Sequence, residues 1–369
     1  MSPTASTASA GSRPVLSIDD LSLEFRTRSG TVRALDHVSL SVGRGEIVGL
    51  VGESGSGKSV LCHALLGLSD RAARITGGTM HFDGIDLLAA TERELQDLRG
   101  REIGMVFQNP RAALNPIRQI GRQLEDVLRR HGAIRSQDLR ERAIASLREV
   151  AIADPQKRWH AYPFELSGGM CQRVMIALAM SASPRLLICD EPTTGLDVTT
   201  QAAVLNLIRE RSRANQVATL LITHDLTLAA DFCDRVVVMH AGHVVETAPT
   251  ARLFSAPRHP YTGALIGATP AGRADIDALI PIAGGLPDLR RNDLPACRFI
   301  ERCTRSVAAC TTPSRASRRA RSFRSTSPCR LPRCVPACWR RVMAGAARAR
   351  ARAPTSTAVE YGGGTSTPC

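Results

Sequence analysis

The sequence predicts an α/β protein built around a parallel β-sheet, and three observations support this prediction. Residues 186–189 (LLIC) and 218–222 (ATLLI) are continuous apolar runs, separated by a helix predicted over 198–211. Continuous hydrophobicity is typical of parallel strands that are covered on both faces. Residues 46–51 (EIVGLV) form a third apolar strand, which leads into a glycine-rich loop and then a buried helix over 60–68. This order is a strand–loop–helix unit.

Further predicted elements surround this core. Residues 15–25 and 32–42 alternate between apolar and polar side chains, so an antiparallel edge opens the fold. A short strand is predicted over 103–107. Apolar residues then recur at helical spacing between 120 and 150, which predicts a helical insertion. A hairpin over 236–246 closes the domain, and the frequent prolines and glycines after it predict a small extension rather than more sheet.

The positive charge of the chain is concentrated at its C-terminal end. Residues 311–369 contain 12 arginines, no lysine and one acid, Glu360, and so carry +11 of the formal net charge of +14. Only +3 remains for residues 1–310, so a nucleic-acid partner loses its main support. The tail has no period and few large apolar residues. It is either disordered or the product of a frame-shifted reading of GC-rich DNA.

Neither a membrane span nor a secretory signal is expected. The chain has no run of about 18 apolar residues. Residues 1–14 lack the apolar region of a signal peptide and are expected to be disordered. Cys62, Cys171, Cys189 and Cys233 occur singly in apolar segments, as reduced core thiols do, which favours the cytoplasm.

The glycine-rich loop matches the pattern G-x-x-x-x-G-K-[ST] between a strand and a helix. It consists of Gly52, Glu53, Ser54, Gly55, Ser56, Gly57, Lys58 and Ser59. In such a P-loop, successive backbone N–H groups and the helix N-terminus complement a polyphosphate. Lys58 is placed to contact the β- and γ-phosphates, and the Ser59 hydroxyl to ligate Mg²⁺. The loop therefore predicts an ATP site that uses Mg²⁺.

Two carboxylates follow the strand over 186–189. Asp190 and Glu191 would emerge at the carboxyl edge of the sheet, where ligands bind in α/β folds. Asp190 is predicted to hold Mg²⁺ through its water shell, and Glu191 to polarise the attacking water as general base. Such a pair alone is more often a helix N-cap or a solvated edge, and the P-loop reverses that preference.

A Ser-Gly-Gly segment, Ser167, Gly168 and Gly169, precedes a helix predicted over 171–180. Together with the P-loop and the Asp-Glu strand, it resembles the LSGGQ signature of the ABC ATPase superfamily. Met170 replaces the consensus Gln, a variation common in the peptide-importer branch. A lone Ser-Gly-Gly would be better interpreted as a Ser N-cap with flexible glycines.

The resemblance implies a P-loop NTPase fold with an antiparallel β edge, a RecA-like parallel core, a helical subdomain over about 109–180 and a small C-terminal extension. The ATPase domain would span 15–248. Gln108 matches the Q-loop, which senses Mg²⁺ and contacts the membrane subunit. Asp197 matches the D-loop, and His224 the switch histidine at the γ-phosphate.

The resemblance also implies how nucleotide is bound. Phe25 is a candidate for stacking on adenine in place of the more common Tyr, and an ordinary core Phe is nearly as good an interpretation. Two ATPase domains would close head to tail around two ATP molecules. The P-loop, the two strand-end carboxylates, Gln108 and His224 would act in cis, and Ser167 to Gly169 would close on the partner's nucleotide in trans.

The extension, predicted over 249–310, indicates which branch of the ABC ATPase superfamily the sequence resembles. Phe254, Pro257 and the run His259-Pro260-Tyr261-Thr262 resemble the F-x-x-P-x-H-P-Y-T-x-x-L segment of oligopeptide, dipeptide and nickel importer ATPases. This segment has no predicted catalytic use.

Cys297, Cys303 and Cys310 resemble the Cys-rich segment of the same branch. Three cysteines at this spacing suggest a metal ion or an iron–sulfur cluster, here a [4Fe-4S] cluster with Cys329 as fourth ligand. Free thiols or a disulfide are the alternatives.

The sequence thus predicts the ATP-hydrolysing subunit of an ABC importer for peptides or related small solutes. It would lie peripherally on the cytoplasmic face of the inner membrane. Its expected partners are two transmembrane permease subunits, a second homologous ATPase or a second copy, and an extracytoplasmic solute-binding protein. Alternatives are a nickel or other small-solute importer, or a soluble ABC ATPase acting on nucleic acid or the ribosome. An exporter or cluster-assembly ATPase is disfavoured by the HPYT segment.

Overall fold

The computed structural model describes residues 13–131, 135–269 and 280–311. The predictions made for residues 1–12 and 312–369, including Cys329, lie outside the described residues. The strands are β1 Leu16–Thr27, β2 Gly30–Val42, β3 Ile47–Val51, β4 Ala73–Phe82, β5 Ile85–Asp86, β6 Ile103–Val106, β7 Leu186–Asp190, β8 Ala218–Thr223, β9 Arg235–His240 and β10 His243–Pro249. The helices are α1 Lys58–Leu65, α2 Glu92–Leu98, α3 Pro110–Ala113, α4 Ile120–His131, α5 Leu139–Glu149, α6 Pro155–Trp159, α7 Gly168–Met180, α8 Val198–Ala214, α9 Leu226–Phe232, α10 Thr250–Ser255 and α11 Pro260–Gly267.

The first sheet is antiparallel, with strand order β2-β1-β4-β5. β1 buries Leu16, Ile18, Leu21 and Leu23 on one face, which confirms the antiparallel edge that the alternating pattern predicts. The sequence analysis missed β4, which pairs with β1 although most of its side chains are exposed.

The second sheet has the order β10-β9-β3-β8-β7-β6, and β6, β7, β8, β3 and β9 are parallel. β3, β7 and β8 are buried along their whole length, as their continuous apolar sequences predict. β10 returns antiparallel to β9 as the predicted hairpin. Because β3, β8, β7 and β6 are neighbours, the segments that follow them meet at one edge of the sheet.

Helix α1 joins the two sheets. Alternate residues of β3 face opposite sides: Val48 and Leu50 pack with Leu61 of α1 and with the antiparallel sheet. Ile47 and Val51 pack on the other side, in the cluster that contains the helices after β6. The P-loop therefore lies between two packed layers.

The predicted helical insertion is present as α3 to α7. Trp159 at the end of α6 is 2% exposed and lies so close to Gly121 of α4 that a Cβ there would be 2.1 Å from the indole ring. The guanidinium groups of Arg122 and Arg140 lie 4.8 and 4.7 Å from the indole centroid. The indole ring of Trp159 thus packs α6 against both α4 and α5.

The C-terminal extension packs into the core of the ATPase fold. Phe254 of α10 and Tyr261 of α11 are fully buried, and Phe299 is 3% exposed. All three belong to the core cluster that also contains Ile47 and Val51 of β3. Within the described residues, we find no helix whose length and hydropathy would suit a membrane span.

Candidate nucleotide-binding site

The P-loop follows β3 and curves tightly against the rest of the fold. Gly57 has φ +103°, and a Cβ at this position would lie 2.8 Å from the Ala34 carbonyl oxygen. At Gly52 a Cβ would lie 2.2 Å from the Met239 carbonyl oxygen. Backbone on both sides therefore requires glycine, which leaves the loop amides free of shielding side chains.

Lys58 lies inside the curve of this loop. Its side-chain ammonium donates to the carbonyl oxygens of Gly52 and Glu53, both at 2.9 Å, and to Ser56 Oγ at 3.4 Å. Burial lowers the pKa of Lys58, and the negative charges of Glu191 and Asp190 oppose that shift. The cation is thus held where phosphates would enter the loop.

Ser59 and Asp190 meet at the carboxyl edge of the parallel sheet. Ser59 Oγ donates to Asp190 Oδ1 at 3.5 Å. Burial raises the pKa of Asp190, and the neighbouring charge of Glu191 raises it further. A hydroxyl and a carboxylate side by side form the hard oxygen set that Mg²⁺ prefers, so these residues fit the predicted ion.

Glu191 receives contacts from three other segments. Gln108 Nε2 and Thr194 Oγ1 both donate to Glu191 Oε2, at 3.0 and 3.1 Å. His224 Nδ1 lies 3.4 Å from Glu191 Oε1. The structure therefore brings together the predicted Gln108, Glu191 and His224. Thr194 was missed, because a threonine in a turn carries no sequence signal of its own.

Glu191 also has an unusual backbone. Its φ is +46°, in the left-handed region that non-glycine residues rarely occupy, and its N–H donates to the Ile222 carbonyl oxygen at 3.0 Å. Strained backbone of this kind persists where its surroundings over-determine it, and it occurs frequently at functional sites.

The signature and D-loop segments lie against each other. Ser167 caps α7 by accepting from Met170 N at 3.3 Å, and Asp197 caps α8 by accepting from Thr200 N at 3.0 Å. A Cβ at Gly169 would lie 2.8 Å from Thr200 Cγ2. The structure thus pairs Ser167, Gly168 and Gly169 with the predicted Asp197.

Phe25 lies in the antiparallel sheet, on β1 opposite Val32 and Ala73. It is half-buried and packs against the core that α1 shares with this sheet. This position agrees with the alternative of a core Phe, although the residue is still partly exposed.

The P-loop also meets residues of the extension. Arg302 donates to both carboxylate oxygens of Glu53, each at 2.8 Å, and Glu53 N donates to the Tyr261 hydroxyl at 3.0 Å. The Arg302 bonds lower the pKa of Glu53. His240, fully buried, has Nδ1 3.6 Å from Glu53 Oε2. The sequence motifs gave no sign of this link.

The three cysteines of the extension lie in one region without forming a metal site. Cys297 N donates to the Cys310 carbonyl oxygen at 3.0 Å, and Cys297 Sγ lies 3.9 Å from His259 Nε2. Within residues 13–131, 135–269 and 280–311, no three or more His, Cys, Asp or Glu side chains are grouped to hold a metal ion. The described residues therefore do not support the predicted cluster, and its fourth ligand, Cys329, lies outside them.

Two family models match the chain. The ABC transporter model matches residues 35–194, and the model for the oligopeptide/dipeptide transporter C-terminal region matches 245–310.

Among solved structures, the ATP-binding cassette MJ0796, a dimer in a post-hydrolysis state bound to ADP and Pi, has a TM-score of 0.57 and 27% identity; the match covers 64% of this chain and 98% of that one. The protein cbiO1 of Clostridium perfringens, part of the ABC transporter complex cbiONQ, has a TM-score of 0.56 and 25% identity; the match covers 65% of this chain and 90% of that one. The fold and the site thus define an ATP-binding cassette.

Curated relatives extend the match over 80–88% of the chain. A putative peptide import ATP-binding protein of Brucella melitensis is 44% identical over 88% of this chain and 98% of its own length. The dipeptide transport ATP-binding protein DppD of Escherichia coli is 44% identical over 80% of this chain and 90% of its own. The chain belongs to the family of ATP-binding subunits of ABC transporters, and its activity is ATP hydrolysis coupled to transport.

Proposed function

We propose that this chain powers the import of di- or oligopeptides, or of related small solutes, as the ATPase subunit of an ABC importer. The supporting observation is the extension, where His259 and Tyr261 of the HPYT segment are buried against the ATPase core. The oligopeptide/dipeptide C-terminal model matches this region, and relatives named for peptide import and dipeptide transport align across it.

Residues 52–59 would bind the ATP phosphates, with Lys58 countering their charge. Ser59, Asp190 and Gln108 would hold Mg²⁺, which supplies neutralisation of phosphate charge when bound. Glu191 acts as general base: its carboxylate accepts a proton from the attacking water. Gln108 and His224, which already contact Glu191, orient that carboxylate and sense the γ-phosphate.

The signature segment would act on a second subunit. Gly168 and Gly169 lie against Leu196 and Thr200, which flank Asp197, and we infer that the segment Ser167 to Gly169 closes on a partner's nucleotide. The dimeric MJ0796 cassette supports this arrangement by analogy. We infer that two subunits, identical or homologous, close head to tail when ATP binds and open after hydrolysis.

The membrane subunits would dock near Gln108 and the helical insertion. Phe107, Ile117 and Phe164 are large apolar side chains there that are 40%, 86% and 71% exposed. We propose that two permease subunits cover this surface at the cytoplasmic face of the membrane, and that an extracytoplasmic binding protein delivers the solute. Phe25, which is partly exposed, would stack on the adenine.

Reconstitution tests the proposed function. The chain, its genetically linked permease subunits and any second ATPase are placed in proteoliposomes, and ATP hydrolysis and solute uptake are measured with the linked binding protein. A dipeptide or an oligopeptide is expected to stimulate both. Stimulation by Ni²⁺ alone would instead support the nickel alternative. Hydrolysis that responds to ribosomes or RNA, and not to the permease complex, would refute the importer.

A further inference from the structure

The C-terminal extension touches the P-loop itself. Arg302 forms a two-point contact with the carboxylate of Glu53, and the Tyr261 hydroxyl accepts from the Glu53 backbone N–H. Leu286 lies against the same loop, because a Cβ at Gly55 would be 3.1 Å from its Cδ1. The P-loop of the ATPase domain is thus in direct contact with the C-terminal extension, although the two are far apart in the sequence.

This contact is partly buried and well packed on the arginine side. The Arg302 side chain is only 5% exposed. Phe299, one turn earlier, lies 5.2 Å from the Tyr261 ring and 5.3 Å from the His240 ring, centroid to centroid. The Glu53 side chain is 29% exposed, so the pair is partly buried; a bidentate Arg–carboxylate pair of this kind is both stronger and geometrically stricter than a surface ion pair.

A second arginine of the C-terminal extension, Arg298, binds the ATPase domain at a place away from the P-loop. Arg298 Nη2 donates to Asp36 Oδ2 at 2.6 Å, and Nη1 donates to the Ala241 carbonyl oxygen. His243 Nε2 lies 2.9 Å from the same Asp36 oxygen. The segment is therefore held on β2 and on the β9–β10 turn even when Arg302 is changed.

The charge of Glu53 needs a partner at this position. Glu53 belongs to a loop whose amides and Lys58 are arranged for polyphosphate. An unpaired carboxylate in that loop would repel the phosphates, most strongly where water is excluded. Arg302 cancels this charge and fixes the loop at its second residue, and the Tyr261 hydroxyl fixes the backbone there.

We propose that Arg302 is a positioning residue of the nucleotide site: it holds the P-loop in its phosphate-binding curve and neutralises Glu53, so that ATP affinity depends on the extension. This proposal rests on the assignment of residues 52–59 as the phosphate site.

The test compares nucleotide affinity among full-length variants. Dissociation constants for AMP-PNP with Mg²⁺ are measured by calorimetry for the wild type, R302Q, the double variant E53Q/R302Q and the control R290Q. Arg290 is a surface residue of the same extension that pairs with Asp288. R302Q is expected to bind about ten-fold more weakly, and the double variant to recover to within about three-fold of the wild type. R290Q should match the wild type.

Steady-state kinetics in the assembled transporter provide a second readout. R302Q is expected to raise KM for ATP by a similar factor and to leave kcat unchanged, whereas general damage to the fold would lower kcat and would not be relieved by E53Q. An R302Q affinity within about two-fold of the wild type overturns the proposal, as does a double variant that binds no better than R302Q.

Two further variants distinguish a failure of the Arg302 proposal from a folding defect and from a wrong assignment of the phosphate site. If R302Q does not fold, R302K takes its place; Lys keeps the charge without the planar fork, so affinity should fall about three-fold, and an unchanged affinity overturns the proposal. K58A tests the underlying assignment. Wild-type AMP-PNP binding by K58A would refute residues 52–59 as the phosphate site, whatever Arg302 does.

Discussion

His259 of the HPYT segment should make the protein lose stability in mild acid. Its side chain is 2% exposed, and burial lowers its pKa from 6.5 to about 4, with the nearby His240 adding to this. Nδ1 accepts from the Tyr261 backbone N–H at 3.1 Å and so cannot carry a proton. Protonation of the ring must therefore break the cap of α11.

The magnitude follows from linkage. Between about pH 4 and 6.5 the unfolded chain binds a proton at His259 that the folded chain does not, so stability falls as the pH falls through this window. The contribution of His259 is about 3 kcal/mol when complete, and about 2 kcal/mol of it is lost between about pH 8 and 5. Burial raises the pKa of Glu246, and this shift makes the folded protein more stable as the pH falls, opposite to the effect of His259. The prediction therefore concerns the difference in pH dependence between a variant and the wild type, not the absolute free energy of unfolding.

Urea unfolding followed by circular dichroism, at about pH 8 and 5, measures this effect. In H259N, the Asn oxygen keeps an acceptor for the cap and removes the titrating group. The stability lost between the two pH values should shrink by about 2 kcal/mol in H259N relative to the wild type. H37N makes the same change at a histidine that is 69% exposed, and in this control variant the loss that comes from His259 should remain. The same pH loss in H259N and wild type would refute a buried, neutral His259.

Three further predictions concern the catalytic site, the core and the cysteines. E191Q should bind ATP normally and lose nearly all turnover, because the amide cannot accept the water proton; near-normal hydrolysis in the assembled complex would remove Glu191 as base. G104A should lose about 2 kcal/mol or more in urea unfolding, because its Cβ would lie 2.3 Å from the Ala179 carbonyl oxygen, whereas G77A, with no atom within 4 Å, should change little. Anaerobic purification with iron and sulfide analysis and an absorbance scan decides between a cluster and free thiols; colourless, iron-free protein excludes an iron–sulfur cluster at Cys297, Cys303, Cys310 and Cys329.

The elements that the sequence predicted well are those whose cause is local. The P-loop needs particular residues between one strand and one helix, and continuous apolar runs such as those of β7 and β8 distinguish buried parallel strands from half-exposed ones. Once the sheet is parallel, Asp190, Glu191 and His224 meet because neighbouring strands end at one edge. That step needs no knowledge of side-chain contacts.

The missed features depend on distant partners. β4 has a Gly77-Gly78 pair and no alternation, and it is a strand because β1 offers unpaired backbone groups beside it. Thr194 reaches Glu191 only because the chain turns after β7. Arg302 lies 249 positions from Glu53 in the chain, and nothing in either local pattern points to the other.

The HPYT segment and the residues around it have a structural role rather than a catalytic one. The sequence offers no chemistry for it, yet His259 caps α11, Tyr261 bonds to the P-loop backbone, and Phe254 fills the core beside the sheet. If the chain were cut after the second sheet, buried apolar surface would be exposed and Glu53 would lose its arginine. The ATPase fold and the extension should therefore unfold together, and nucleotide affinity is the property through which a change in either part should appear in the other.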